Sequence, residues 1–364
     1  MGLLRTAKLV LPLGLSAALL TASAAQIAEP LPVEASVAVV QSLPGPEAQP
    51  EDAGFAGYVQ LLSARARGEG VTEASIQAMT AGLTYNPRVV GYDRAQPGSN
   101  PNSPPNFWPY YRKHIDAARI NGGRSVLASS ADILPAIEAK YGVPAKMLVA
   151  IWGKESYYGR IKGDFDLARS LASLAYEGRR RALFEGEFIA LLKMADRGVP
   201  RWQMTGSWAG AFGNPQFLPS VYLRLARDGD GDGRFDIWNS RADTLASVAN
   251  YFRDAGWRAG EPWGVRADVA PGFDRSAIDP KLAAPSCARV HQRHSAWKTV
   301  AEWRAAGVSP QAPIADATLA TLFEPDGPGN GSFLLTGNYR VILHYNCSNY
   351  YALSVGLLAD EIAR

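Results

Sequence analysis

GVPAKMLVAIWGKESYYGR (residues 142–160) reads as a stop signal, an apolar helix and a carboxylate at that helix's far end. Gly142-Val143-Pro144 ends whatever precedes it, and Pro144 suits the first turn of a new helix, where its missing N–H costs nothing. Met147, Leu148, Ile151 and Trp152 then recur at helical spacing up to Glu155. A glutamate at a helix C-terminus is ordinarily a surface residue. This one is flanked by Trp152, Tyr157 and Tyr158, whose bulk would lower the local dielectric and raise the carboxyl pKa. A carboxyl kept protonated near neutral pH is a general acid. Gly153 and Gly159 leave room for other backbone or a ligand to approach closely.

The flanking sequence is mostly helical in pattern. Amphipathic periodicity predicts helices over Phe55–Ala66, Glu73–Ala81, Trp108–Ala117, Ala131–Tyr141 and Glu185–Arg197. Residues 93–106, DRAQPGSNPNSPPN, carry four prolines and are expected to interrupt helix. Ser240-Arg241-Ala242-Asp243 reads as a capping box for a helix through Tyr251 and Phe252, closed by Gly256. Val300–Ala306 and Ala352–Ile362 complete the helical set, while Gly331–Leu335 and Tyr339–His344 read as short strands. The expected fold class is mainly α, with one large lobe over residues 53–364. Inside it, residues 258–335 form a smaller and less regular subregion, rich in proline and weak in periodicity.

A second informative stretch is SWAGAFGNPQFLPS (207–220). Small residues with one glutamine and two serines make a poor core helix but a good wall for a tight groove. Ser207 and Gln216 are placed to exchange hydrogen bonds with hydroxyl or acetamido groups. Taken alone, a glycine-rich connecting loop explains the stretch equally well.

Together these segments resemble the membrane-bound type B lytic murein transglycosylases. The resemblance is carried by GVPAKMLVAIWGKESYYGR (142–160), SLASLAYEGRR (170–180), TGSWAGAFGNPQFLPSVY (205–222), DGDGDGRFDIW (228–238), DTLASVANYFRDAGW (243–257) and NYRVILHYNCSNYYALSVGLLAD (338–360). It implies a lysozyme-like α catalytic lobe and cleavage of the β-1,4 bond between N-acetylmuramic acid and N-acetylglucosamine. It further implies that Glu155 is the single catalytic acid and base, leaving a 1,6-anhydro end and requiring no cofactor. Positional carry-over puts Ser207, Gln216, Tyr251 and Asn346 in the sugar groove, with Arg179 and Arg180 near the peptide or sugar face. The implied partner is the peptidoglycan glycan strand, with other cell-wall enzymes as further candidates. Two alternatives stand beside this reading. A hydrolytic muramidase would need a second carboxyl, for which Asp164 and Asp166 are the nearby candidates. A non-catalytic peptidoglycan-binding scaffold would have lost the acid that Glu155 supplies.

Asp228, Asp230, Asp232, Gly233 and Asp236 fall on positions 1, 3, 5, 6 and 9 of a calcium loop, with Arg234 offering its carbonyl at position 7. Position 12 is Asn239, not the bidentate glutamate of the standard loop. A structural calcium and a simple Asp/Gly turn both fit. His114, His291, His294 and His344 are too few and scattered for a zinc site. The aromatic run Phe107, Trp108, Tyr110, Tyr111 suits either core or groove edge. Arg179-Arg180-Arg181 is three charges on a near-neutral chain, which reads as an anion-facing helix start and not as a nucleic-acid patch.

The chain has 364 residues and a formal charge of +3. Residues 1–25 carry Arg5 and Lys8, then an apolar run from Leu9 to Leu20 and a small-residue exit at Ala22-Ser23-Ala24, the layout of a cleaved signal peptide. Its loss leaves 35 basic against 34 acidic groups, too balanced for electrostatic nucleic-acid binding. Residues 26–52 are expected to be a flexible arm. The expected location is the periplasm, without a lipid-anchor cysteine at the cleavage point. Export makes Cys287 and Cys347 candidates for a bridge closing a 60-residue loop, worth roughly 2–4 kcal/mol. Two buried thiols are the alternative, and spacing does not choose between them.

Overall fold

The computed structural model describes residues 53–96, 106–278 and 286–364. The signal peptide and arm expected over 1–52 lie outside them. The first helices are α1 (Ala53–Gly68), α2 (Glu73–Thr80) and α3 (Pro87–Arg94). The last was not expected, because its proline-rich neighbour dominates the pattern. Asn86 caps it by accepting the Arg88 N–H, and Pro87 occupies its first turn. Helix α4 (Phe107–His114) stands where the sequence predicts one over Trp108–Ala117, and α5 (Ala117–Ser129), beyond that range, was not expected. Asp116 caps α5 by accepting the Arg119 N–H at 2.7 Å.

Then come α6 (Leu134–Tyr141) and α7 (Ala145–Ser156), the helix of the opening motif, buried along nearly its whole length. A two-residue strand β1 (Phe165–Asp166) leads into α8 (Leu167–Glu177) and α9 (Arg181–Asp196), and β1 pairs with β2 (Thr205–Gly206). After α10 (Pro219–Leu225) and the acidic loop, α11 (Arg241–Asp254) starts on Ser240. Only half of the expected capping box forms. Ser240 accepts the Asp243 N–H, but the Asp243 carboxylate receives the N–H groups of Gly229 and Asp236 instead of returning the bond.

The subregion expected to be irregular holds a five-stranded antiparallel sheet. Its strands are β3 (Gly264–Val269), β4 (Lys298–Thr299), β5 (Val308–Pro310), β6 (Leu319–Phe323) and β7 (Ser332–Leu335), in the order β4-β6-β7-β3-β5. Helices α12 (Ala288–His291) and α13 (Val300–Ala305) accompany it. Its strands are short, so each offers too few residues for period-2 alternation to register. β7 is buried on both faces and shows no alternation at all.

The chain then returns to the helical body as α14 (Gly337–Tyr345) and α15 (Asn349–Ile362). The strand expected at Tyr339–His344 is therefore corrected to helix. Val341, Ile342 and Leu343 are all buried, and an apolar run buried all round has no period that separates strand from helix. Exit and return are clamped together. Asn338 Oδ1 accepts the Arg258 N–H at 2.8 Å, and its Nδ2 donates to the Arg258 carbonyl at 2.9 Å.

Three apolar cores result. One joins α4, α6, α7, α11, α14 and α15 and takes in Phe323, Phe333 and Leu335 from the sheet; a second joins α1–α3 with α8–α10; a third lies under the sheet. Tyr251 and Tyr345 pack against both the first and the second. No helix among the described residues is long and apolar enough to cross a membrane.

Candidate active site

Helix α7 ends in a turn that residues with a Cβ seldom adopt. Tyr157 and Tyr158 have φ of 52° and 58°. The turn is held because Tyr158 lies in a cradle of missing side chains. A Cβ on Gly153 would come within 2.5 Å of its ring, and one on Gly123 of α5 within 2.6 Å of its hydroxyl. That hydroxyl donates to the Arg119 carbonyl at 2.7 Å. The room left by Gly153 thus serves the protein's own aromatic ring. The paired glycines of α5 also hid that helix from a propensity reading.

Glu155, on the last turn of α7, is partly open to the surface. Its Oε1 accepts a short hydrogen bond from Tyr351 of α15. Burial pushes its pKa up to about 7, against the opposing pulls of the Tyr351 hydroxyl and the Lys154 ammonium. The charge on Glu155 in turn helps hold the Tyr251, Tyr345 and Tyr351 hydroxyls well above their ordinary range, after burial as the main cause. These tyrosines are neutral donors at physiological pH. Among the described residues no second carboxylate acts on Glu155. Asp166 caps α8 by accepting the Arg169 N–H and pairs with Arg201 at 2.9 Å, and Asp164 is exposed.

The 207–220 stretch packs directly beneath this helix end. Ser156 Oγ donates to the Asn214 carbonyl at 2.7 Å, and Tyr345 Oη donates to the Pro215 carbonyl at 2.5 Å. Phe212 and Phe217 exchange both backbone hydrogen bonds, making a tight loop. At its tip Gln216 has φ of 52° and spends its amide donors on the carbonyls of Gly213 and Lys162. Its side-chain oxygen is what remains to accept. Ser207 is 9% exposed, and its Oγ accepts the Ala211 N–H at 3.0 Å. Tyr251 Oη donates to the His344 carbonyl at 2.7 Å, which ties α11 to α14. Asn346 ends α14 at 1% exposure, and neither polar atom of its side chain has a partner among the described residues.

Arg179 and Arg180 form a cluster of their own. Asp93 of α3, 1% exposed, takes Arg179 Nε at 2.6 Å and also pairs with Arg180. The two guanidinium groups hold the Asp93 pKa below its usual value against the burial that would raise it. Asp93 and Tyr351 were not singled out by sequence reasoning. Tyr351 stood in a stretch with a legible family pattern but no distinguishing chemistry, and Asp93 lay at the edge of a segment dismissed as helix-breaking. Of the aromatic run, Phe107 is core, and Tyr110 reaches toward the site by accepting a hydrogen bond from Lys154 Nζ.

The acidic loop brings carboxylate oxygens of Asp228, Asp230 and Asp232 within 4.8 Å of one another. Three such groups so close fit a hard cation with oxygen ligands. Asp236 stands apart from that trio, accepting from the Trp238 and Asn239 N–H groups. Asn239 donates its amide to Asp236. The buried carboxylate behind the loop is Asp243, 1% exposed, on which Gly229 and Asp236 hang. A calcium here would be held by Asp228, Asp230 and Asp232 and would stiffen the lead into α11. Cys287 and Cys347 are joined in a disulfide, with Cα atoms 5.6 Å apart.

A mainly helical body with a small sheet, and one elevated carboxyl in a tyrosine-lined site, define a lysozyme-like glycan-cleaving fold. The Transglycosylase SLT domain family matches residues 54–360, and the chain belongs to the membrane-bound lytic murein transglycosylase B family. It is 33% identical over 268 residues to membrane-bound lytic murein transglycosylase B of Escherichia coli strain K12, covering 72% of this chain and 69% of that protein. Among solved structures it is similar to SltB3 from Pseudomonas aeruginosa in complex with NAG-anhNAM-pentapeptide, with 38% identity and a TM-score of 0.76, covering 85% of this chain and 79% of that one. It is also similar to the Escherichia coli lytic transglycosylase SLT35 in complex with calcium, with 27% identity and a TM-score of 0.70, covering 84% and 92%.

Proposed function

We propose that this protein is a lytic transglycosylase that cleaves the β-1,4 bond between N-acetylmuramic acid and N-acetylglucosamine in peptidoglycan, with Glu155 as the only acid and base. Family membership and likeness to a relative bound to NAG-anhNAM-pentapeptide support the activity. The observation that carries the mechanism is a Glu155 carboxyl raised to about 7 on which, among the described residues, no second carboxylate acts.

Glu155 gives its proton to the glycosidic oxygen as the bond to muramoyl C1 breaks. The resulting carboxylate takes the proton of the C6 hydroxyl, and that oxygen bonds to C1, closing the 1,6-anhydro ring. Glu155 ends protonated and no water is consumed. A pKa near the working pH suits a group that must both give and take a proton. The tethered hydroxyl replaces an external nucleophile through its high effective concentration. Tyr351 orients the carboxyl, while Ser207, the Gln216 carbonyl, Tyr251 and the unpaired amide of Asn346 hold the sugars. Arg179 and Arg180 serve an anionic face of the substrate. Calcium, when bound at Asp228, Asp230 and Asp232, is structural. Residues 1–25 direct export, which places the enzyme in the periplasm, and the disulfide suits that oxidising compartment.

Digestion of purified sacculi followed by mass analysis tests this. The protein should release 1,6-anhydromuropeptides, and Glu155→Gln should release essentially none. Reducing ends in place of anhydro ends would establish the hydrolytic reading instead.

A further inference from the structure

A cleft of about 500 Å³ lies where α11 ends and α14 faces the sheet region, lined by Arg258, Ser286, Trp297, Leu319, Arg340 and His344 among others. Its chemistry is one-sided. Arg340 is half-buried with no hydrogen bond or ion pair to any described residue, and its guanidinium lies 5.6 Å from the Trp297 ring centroid. Burial lowers its pKa, and no carboxylate among the described residues opposes that. Glu261, which touches the cleft wall through Gly337, pairs loosely with Arg258 at 3.5 Å and accepts the Gly337 N–H. Leu319 is 48% exposed on the cleft wall. A desolvated cation beside an aromatic face and an exposed aliphatic side chain suits a short acidic peptide better than a bare ion.

The cleft wall is also tied to the elements around the proposed sugar site. His344, in its wall, accepts the Tyr251 hydroxyl through its carbonyl. Ser286 precedes Cys287, whose disulfide partner Cys347 follows Asn346. The same covalent link therefore fixes a wall of the cleft and the end of α14.

We propose that this cleft is a second substrate site, in which Arg340 receives a carboxylate of a peptide stem carried by the glycan strand that Glu155 cleaves. The proposal rests on the peptidoglycan reading above. It adds a stem contact at a place separate from the Asp93-bound arginine pair.

The test compares glycan strands bearing peptide stems with the same strands stripped of peptide by an amidase, measuring kcat and KM for anhydro-product release. Arg340→Ala should raise KM on stem-bearing strands roughly three- to tenfold, as expected for losing a charge-assisted contact. It should leave kcat, and both constants on stripped strands, unchanged. Arg340→Lys should recover part of the loss. Should Arg340→Ala unfold, Arg258→Ala, an exposed side chain on the same cleft, should show the same selectivity at smaller size. An equal change on both substrates, or none on either, overturns the proposal. Failure of the broader reading looks different, since the unmodified protein would then release no anhydro ends from either substrate.

Discussion

Tyr351 donates its hydroxyl hydrogen to Glu155 across 196 residues of sequence, joining the last helix of the chain to the end of α7. The bond favours the charged carboxylate and so opposes the burial that raises its pKa.

Removing the bond should therefore raise that pKa further. Tyr351→Phe is expected to move the alkaline limb of the pH–rate profile to higher pH while lowering kcat through looser positioning of the carboxyl. Stability gives an independent reading of the same group. The folded pKa of Glu155, about 7, exceeds its ordinary 4.5, so the folded state holds the proton more tightly and stability falls as pH rises through that window. Glu155→Gln should match the unmodified protein near pH 4 and exceed it at pH 8 by about 1–2 kcal/mol, allowing for solvent at the open edge of the site. Chemical denaturation at the two pH values measures this.

Asp93 holds two arginines from a buried position. Asp93→Ala leaves Arg180 and its hydrophobic surroundings with an unpaired charge, at a cost of about 2–4 kcal/mol. The folded pKa of Asp93 is depressed, so its contribution is present above the ordinary carboxylate range and is lost as pH falls through the folded value. The gap in melting temperature between Asp93→Ala and the parent should accordingly be full at pH 7 and narrow in acid.

The acidic loop predicts a calcium response in stability and none in chemistry. Millimolar calcium should raise the melting temperature by a few degrees, in line with about 1–2 kcal/mol of binding linkage. Asp230→Asn should abolish that shift. Chelation should leave the identity of the anhydro product unchanged, as read by mass analysis of the digest.

The disulfide closes a loop spanning 60 residues. Its removal by Cys287→Ser with Cys347→Ser is expected to cost about 2–4 kcal/mol. Denaturation of the double variant, with and without reductant, checks it: reductant should destabilise the parent and leave the variant unaffected.

The helical body was legible because long segments such as Glu185–Arg197 carry a helical period, and Glu155 stood out by the aromatics beside it in sequence, although the tyrosines it acts on in space are Tyr251, Tyr345 and Tyr351. Other features were hidden for physical reasons. Gly122 and Gly123 look like helix breakers until Tyr158 is seen to occupy the room they leave. Tyr339–His344 has the composition of a strand, and the consecutive buried residues Val341, Ile342 and Leu343 give no period that separates strand from helix. The partner of Glu155 lies in α15, and no local pattern reports a hydrogen bond of such long range. Asn239 suggested a loop lacking its closing acid, whereas Asp243 closes that loop from behind by accepting two of its N–H groups.

The clamp between Arg258 and Asn338 makes the sheet an excursion entered and left by one doorway. Tyr251 and Asn346, proposed above to hold the sugars, stand just outside it on either side. Phe323, Phe333 and Leu335 tie β6 and β7 into the core that holds α7, so it is the loops outside that core that can lengthen, shorten or be exchanged without displacing Glu155, as insertions at exposed loop tips are generally tolerated. The disulfide adds one constraint, since a transplanted excursion must still bring a cysteine back to Cys347. The loops of the sheet region are thus where this fold can change its outline while the helix end that carries Glu155 stays in place.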